Sequence, residues 1–190
     1  TKSYKNIVID TGKTFRETAL RWFPEHSISS LDAIILTHHH MDAAAGLDDV
    51  RGFQNVTYPK KLSSSSPPIR QSIPLYMSPF CHKNLQSQFP WLLPNRDIRM
   101  PQQMACKEVV KRDVASFDVT LFRDLKEETI EGAGNFRFVP LPVWHGEDLL
   151  SHGFSFTLFP HPVDYTHDND DEDKATTNDP DTRKPIHVVY

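Results

Sequence analysis

The sequence predicts an α/β fold organised around one buried strand. Three observations carry that expectation. Apolar, β-branched runs alternate with helix-forming stretches through the first half of the chain, a rhythm of strand, helix, strand, helix typical of layered α/β structure. The 190 residues, 38% hydrophobic with 12 Phe and 3 Trp, suffice for one sizeable core and one domain. The run Ile34-Ile35-Leu36 reads as a buried strand, and it stops abruptly in Thr37-His38-His39-His40-Met41-Asp42.

In chain order, residues 4–9 (Y-K-N-I-V-I) form the first strand, closed by Asp10-Thr11-Gly12, where glycine allows a tight exit. Residues 14–23 form a helix with Phe15, Ala19, Leu20 and Phe23 on its apolar face, stopped by Pro24. After the histidines, Ala43-Ala44-Ala45 favours a helix running to about Arg51. Residues 57–73 hold four consecutive serines and Pro67-Pro68 and read as a surface loop, with residues 60–72 its Ser/Pro-rich part. Ile73–Met77 is a strand, and Ser78-Pro79 caps and opens a helix to Phe89. In that helix Cys81 is a small buried thiol and His82 a surface histidine.

Residues 91–106 carry no clear periodicity, and residues 109–121 hold one or two strands. Glu127-Glu128 reads as a solvated turn. Residues 136–144 form a strong strand whose prolines suggest a sheet edge. It delivers His145-Gly146. His152 reads as a turn histidine before the strand at 153–158. Residues 160–185, with Asp170-Asp171-Glu172-Asp173 at their centre, read as an acidic disordered loop. Ile186–Tyr190 returns to strand. Both ends of the sequence look cut from something longer.

Composition narrows the function. Net charge is -4, concentrated in the acidic stretch, and no basic face announces nucleic acid. Two cysteines make no disulfide framework and fit a reducing compartment, cytoplasmic or nuclear. No stretch is apolar enough to span a membrane, and no signal peptide is visible.

The chemistry lies in the histidine run. In extended chain, residues two apart point the same way. His38, His40 and Asp42 therefore project to one side, with His39 and Met41 on the other. Two imidazoles and a carboxylate at the end of a buried strand can hold a zinc-like cation. The plainer alternative is a polar strand end with solvated histidines. Three histidines in a row with an in-phase acid favour the metal.

Thr37-His38-His39-His40-Met41-Asp42 resembles the T-H-x-H-x-D signature of the metallo-β-lactamase superfamily. The continuation Gly46-Leu47-Asp48-Asp49-Val50-Arg51 is similar to the G-L-D-D-L-R of a group of uncharacterised eukaryotic hydrolases. These are related to the phosphoribosyl cyclic phosphate phosphodiesterase of phosphonate breakdown, and more distantly to ribonuclease Z. Pro140-Leu141-Pro142-Val143-Trp144-His145-Gly146 is similar to the P-L-x-V-x-H-G of the same family. The resemblance implies a four-layer αβ/βα sandwich. It implies that His38, His40 and His145 bind one metal ion, and that Asp42 binds a second. Asp42 and His40 then stand at the catalytic centre, and Asp10 supports the histidine loop by hydrogen bonds. The usual signature ends in a histidine where this chain has Ala43, as in the eukaryotic group, so the second ion lacks a ligand; Asp48 and Asp49 are the nearest substitutes.

The resulting expectation is a metal-dependent hydrolase using zinc, or manganese, as one or two ions. The favoured reaction is phosphodiester hydrolysis of a small or nucleotide-like substrate, with nucleic acid less favoured. Two other readings remain: a thioester or other ester hydrolase on the same fold, and a non-catalytic scaffold.

Overall fold

The computed structural model describes residues 4–57, 69–93, 114–130, 136–158 and 186–189. Fourteen elements follow in order: β1 (Ile7–Ile9), α1 (Phe15–Trp22), β2 (Ala33–Ile35), α2 (Met41–Ala44), a 3₁₀ helix (Leu47–Phe53), β3 (Val56–Thr57), β4 (Ile69–Arg70), β5 (Ile73–Met77), α3 (Pro79–Gln88), β6 (Phe117–Leu121), β7 (Glu128–Thr129), β8 (Arg137–His145), β9 (Leu149–Leu158) and β10 (Ile186–Val189). β1, β2, β5 and β6 pair in that order as an all-parallel sheet. β10, β9, β8 and β7 form a second, antiparallel sheet.

Strand alternation sorts side chains into two cores. Ile34 and Leu36 face the helices with Phe15, Ala19, Leu47, Val50, Leu75, Cys81 and Leu85. Ala33 and Ile35 face the second sheet and meet Tyr76, Phe122, Ile130, Phe138, Phe154 and Phe156. A strand buried on both faces is the rule for parallel sheets covered on both sides. Phe138 sits centrally, edge-on to Tyr76, Phe122 and Phe154 at 5.6, 6.1 and 5.7 Å. Each such buried aromatic contributes roughly 1.5–3 kcal/mol by burial alone. Helices, first sheet and second sheet thus make three layers among the described residues. No helix among them is long and apolar enough to cross a membrane.

Several expectations meet the structure closely. β5 occupies the expected residues. Ser78 caps α3, its Oγ accepting from the Cys81 amide at 3.2 Å, with Pro79 in the first turn. Cys81 is buried, and burial pushes its thiol up to about 12, so it is chemically inert. The prolines of β8 mark an open edge. β7 pairs only with Arg137 and Phe138, and beyond it the Leu125 amide donates to Pro140 O at 2.9 Å. The Pro140 carbonyl, and so its nitrogen, therefore faces away from β9, where no strand needs an N–H.

Other expectations are corrected. Leu20 is 61% exposed and is not part of the helix face that packs. The helix after the histidines is two short pieces, α2 and the 3₁₀ helix, bent at Gly46. Glu128 begins β7 and is not in a turn; Glu127 pairs with Arg137 at 3.0 Å. Within the stretch read as loop, β4 pairs antiparallel with β3; residues 58–68 lie outside the described residues. The acidic stretch 160–185 lies outside them too.

Gly12 serves close approach. It does not have the positive φ of a tight turn; Asp10, at φ 61, takes that role. A Cβ on Gly12 would overlap the Asp42 carbonyl oxygen, and one on Gly46 would come within 2.7 Å of Gly12 O. Two short backbone bonds, Thr11 N to Ala43 O and Gly46 N to Thr11 O, both 2.6 Å, clamp the β1 loop onto α2. Gly12→Ala is therefore expected to cost about 3 kcal/mol or more, since the obstacle is backbone rather than a movable side chain. Urea unfolding measures the loss, and a change below about 0.5 kcal/mol would contradict the close packing.

Candidate metal centre

The site lies at the carboxyl ends of the parallel strands, where loops converge in open α/β sheets. Asp10 follows β1, Thr37 and His38 follow β2, and Asp124 follows β6. The second sheet adds His145 at the end of β8.

Asp10 binds Thr37 with both carboxylate oxygens. Oδ1 accepts from the Thr37 amide and Oδ2 from its hydroxyl, each at 2.8 Å. Thr37 Oγ1 also lies 2.8 Å from His38 Nδ1. The hydroxyl has one proton. With Asp10 ionised that proton goes to the carboxylate, so His38 Nδ1–H must donate to Thr37. The lone pair of His38 is then left on Nε2. That atom is buried and has no hydrogen-bond partner. Burial, more than its neighbours, holds His38 below the usual histidine range, which keeps the ring neutral.

His40 and His145 turn toward the same point. Ring centroids are 4.9 Å apart for His38 and His40, 4.8 Å for His38 and His145, and 5.7 Å for His40 and His145. One ring nitrogen from each lies within 4.8 Å of the others. Among the described residues this is the one group of three or more such side chains that could hold an ion. His39 turns elsewhere, edge-on to Phe80 of α3 at 5.4 Å. Asp42, in the first turn of α2, places Oδ1 3.5 Å from His38 Nε2, with two-thirds of its side chain open to solvent. Asp42 therefore sits beside the three-histidine group and is not one of its members.

Neither proposed substitute belongs to the three-histidine group. Asp49 lies 3.9 Å from Arg16, and Asp48 leaves Oδ1 buried without a partner. Ala43 is a buried methyl whose carbonyl holds the Thr11 amide. A separate polar cavity of about 330 Å³ opens at the opposite end of the sheet, lined by Lys5, Asp32, Gln71 and Asp118 among others. There Lys5 and Asp32 already pair at 3.1 Å.

One functional candidate escaped the sequence. His152 is not in a turn. It lies inside β9 opposite Pro142 and is 3% exposed. Its Nδ1 is 3.2 Å from the Thr37 carbonyl and its Nε2 3.0 Å from Asp124. The available signal was phase: Leu150, His152, Phe154 and Phe156 alternate on one face once β9 begins at Leu149.

The family model described as a beta-lactamase superfamily domain matches residues 5–168. The chain belongs to the metallo-β-lactamase superfamily. Its fold is that of the superfamily's hydrolases. A crystal structure described as a new diphosphatase from the PhnP family is 27% identical, with a TM-score of 0.50 over 78% of this chain and 44% of that one. An octanoyltransferase of Porphyromonas gingivalis is 47% identical over 51 residues, which are 27% of this chain and 10% of that protein. A subclass B3 metallo-β-lactamase from a soil metagenome library is 13% identical at a TM-score of 0.48. The chain thus spans a tenth of that octanoyltransferase and under half of the diphosphatase.

The superfamily implies metal ions, and the residues present fit one. A buried, unpartnered Nε2 is costly unless something binds it. Two nitrogens sharing a zinc ion at about 2.1 Å can be no more than about 4.2 Å apart. The present spread of up to 4.8 Å thus requires the two solvent-exposed rings, His40 and His145, to close slightly on His38.

Burial raises the Asp10 carboxyl to about 6, against the lowering effect of its bonds to Thr37. A native value above the unfolded one favours the folded chain fully below about pH 4 and loses that contribution as pH rises through 6. Asp10→Asn keeps an acceptor for the Thr37 amide and tolerates the left-handed backbone. In the metal-free chain, wild-type stability should fall relative to Asp10→Asn between pH 4 and 6, by on the order of 3 kcal/mol. Parallel stability–pH curves in urea would refute the buried-carboxyl account.

Proposed function

We propose that this chain carries the first metal site of a phosphodiesterase-type hydrolase, with His38, His40 and His145 as protein ligands of a zinc ion. The observation that supports this best is the convergence of three imidazoles on one point with His38 Nε2 buried and unpartnered. Nitrogen donors favour zinc over manganese, and three ligands leave one position open, as in catalytic rather than structural zinc. When bound, such an ion lowers the pKa of a water and neutralises charge developing on phosphoryl oxygens.

The chain's own groups do the rest. Asp10 and Thr37 fix the His38 tautomer and its ring orientation. Asp42 Oδ1, beside His38 Nε2 and open to solvent, is the carboxylate placed to accept a proton from an attacking water. The similarity to a PhnP-family protein named a diphosphatase supports attack at phosphorus over attack at an acyl carbon. The substrate class we propose is a small phosphodiester or nucleotide-like molecule.

Zinc bound per chain and turnover of bis-p-nitrophenyl phosphate test this together. His38→Ala and His145→Ala should each abolish tight binding and bring turnover to background. His39→Ala should leave zinc content unchanged, because its ring faces Phe80. Equal zinc loss in all three variants would overturn the ligand assignment. Full zinc loading without phosphodiester turnover would overturn the reaction class.

A further inference from the structure

Beyond the three histidines, a buried polar contact joins the two sheets at this end of the molecule. His152 belongs to the β8–β9 hairpin that carries His145: it pairs with Pro142, three residues before His145 on β8. Its Nδ1 reaches the carbonyl of Thr37, the residue directly before His38. One imidazole therefore spans from the hairpin holding one candidate ligand to the strand end holding another.

We infer that His152 is a positioning residue that sets the placement of His38 relative to His145. This rests on the reading of the three histidines as a metal site. Elsewhere among the described residues the sheets meet mainly through apolar side chains of the second core, with the Tyr76 hydroxyl donating a long bond of 3.4 Å to the Thr129 carbonyl. Such contacts are non-directional and do not by themselves fix the sliding of one sheet on the other. The His152 bond is directional, and the ring is held at both ends. Nδ1 lies against the Thr37 carbonyl and Nε2 against the Asp124 carboxylate, so the ring is tied to the first sheet's strand ends through both of its nitrogens. Phe122 packs edge-on against the ring at 5.0 Å. Thr37 is consequently fixed on every polar atom: amide and hydroxyl by Asp10, carbonyl by His152.

The test compares wild type, His152→Ala and His152→Asn, all well below their unfolding midpoints. The asparagine Nδ2 sits where Nδ1 of the imidazole was and can donate to the same carbonyl. Two readouts are taken: the nuclear Overhauser contact between the His38 and His145 rings in the metal-free chain, and the affinity and visible spectrum with Co²⁺. His152→Ala should lose the ring contact, weaken Co²⁺ binding about 10–100-fold and alter the spectrum. His152→Asn should restore all three. Should His152→Ala fail to fold, Asp124→Ala, at a half-exposed loop residue, frees the same ring and should weaken Co²⁺ binding about tenfold. A folded His152→Ala that keeps the ring contact and the Co²⁺ affinity while only melting earlier overturns the proposal. So does a folded His152→Asn that restores neither. A wild-type chain that shows the ring contact but binds no Co²⁺ refutes the metal reading alone, and the contact series still decides the positioning role.

Discussion

The fork between Asp10 and Thr37 is the contact on which the site depends. Two bonds of 2.8 Å from one carboxylate fix the amide and hydroxyl of the residue that leaves β2. Each such bond contributes about 1–3 kcal/mol net. The larger consequence is geometric. With its hydroxyl proton committed to Asp10, Thr37 can only accept from His38, so the lone pair of that imidazole is left on the buried Nε2. Remove the fork and His38 is free to adopt either tautomer and several ring angles.

The arrangement is costly in isolation. Asp10 sits at φ 61, a conformation few non-glycine residues adopt, and its carboxyl is buried enough to resist ionisation. His38 Nε2 is buried without a hydrogen-bond partner, as is the Thr11 hydroxyl nearby in sequence to Asp10. Such features persist where the surrounding structure over-determines them. Here two cores, the close approach at Gly12 and the short bonds from Thr11 to α2 leave the loops no alternative path. Local strain at the ends of well-packed strands is the expected pattern for a site that binds something.

What could be read from the sequence was whatever is local. The β2 run, the capped start of α3, the strand with two prolines and the histidine cluster each announce themselves within a few residues. Period-two alternation placed His38 with His40 and sent His39 away, because it needs only the backbone; it does not apply to Met41 and Asp42, which begin α2 and are no longer in extended chain. His152 was missed for the opposite reason: its partners are 115 and 28 residues distant, and a histidine before a glycine looks like a turn. Leu20 was misplaced because an apolar residue on a helix flank gives no sign of whether the neighbouring layer reaches it. Gly12 was read as a turn glycine when the constraint was the Asp42 carbonyl 30 residues on, a contact no local rule contains.

The three histidines are divided between the sheets, and this has a thermodynamic consequence. His38 and His40 leave the parallel sheet, while His145 ends a strand of the antiparallel one. Each sheet could form its own hydrogen bonds without the other. The three-histidine group exists only when the sheets are packed face to face through Ile35, Tyr76, Phe138 and Phe154. Any ion held by all three must therefore favour the packed state over every state in which the sheets part, by an amount that grows with the logarithm of its concentration over its dissociation constant. Packing makes the three-histidine group, and an ion held there would secure the packing. His152 stands at the hinge of that reciprocity, because its bond to Thr37 supplies in the metal-free chain part of the cross-sheet restraint that an ion would complete.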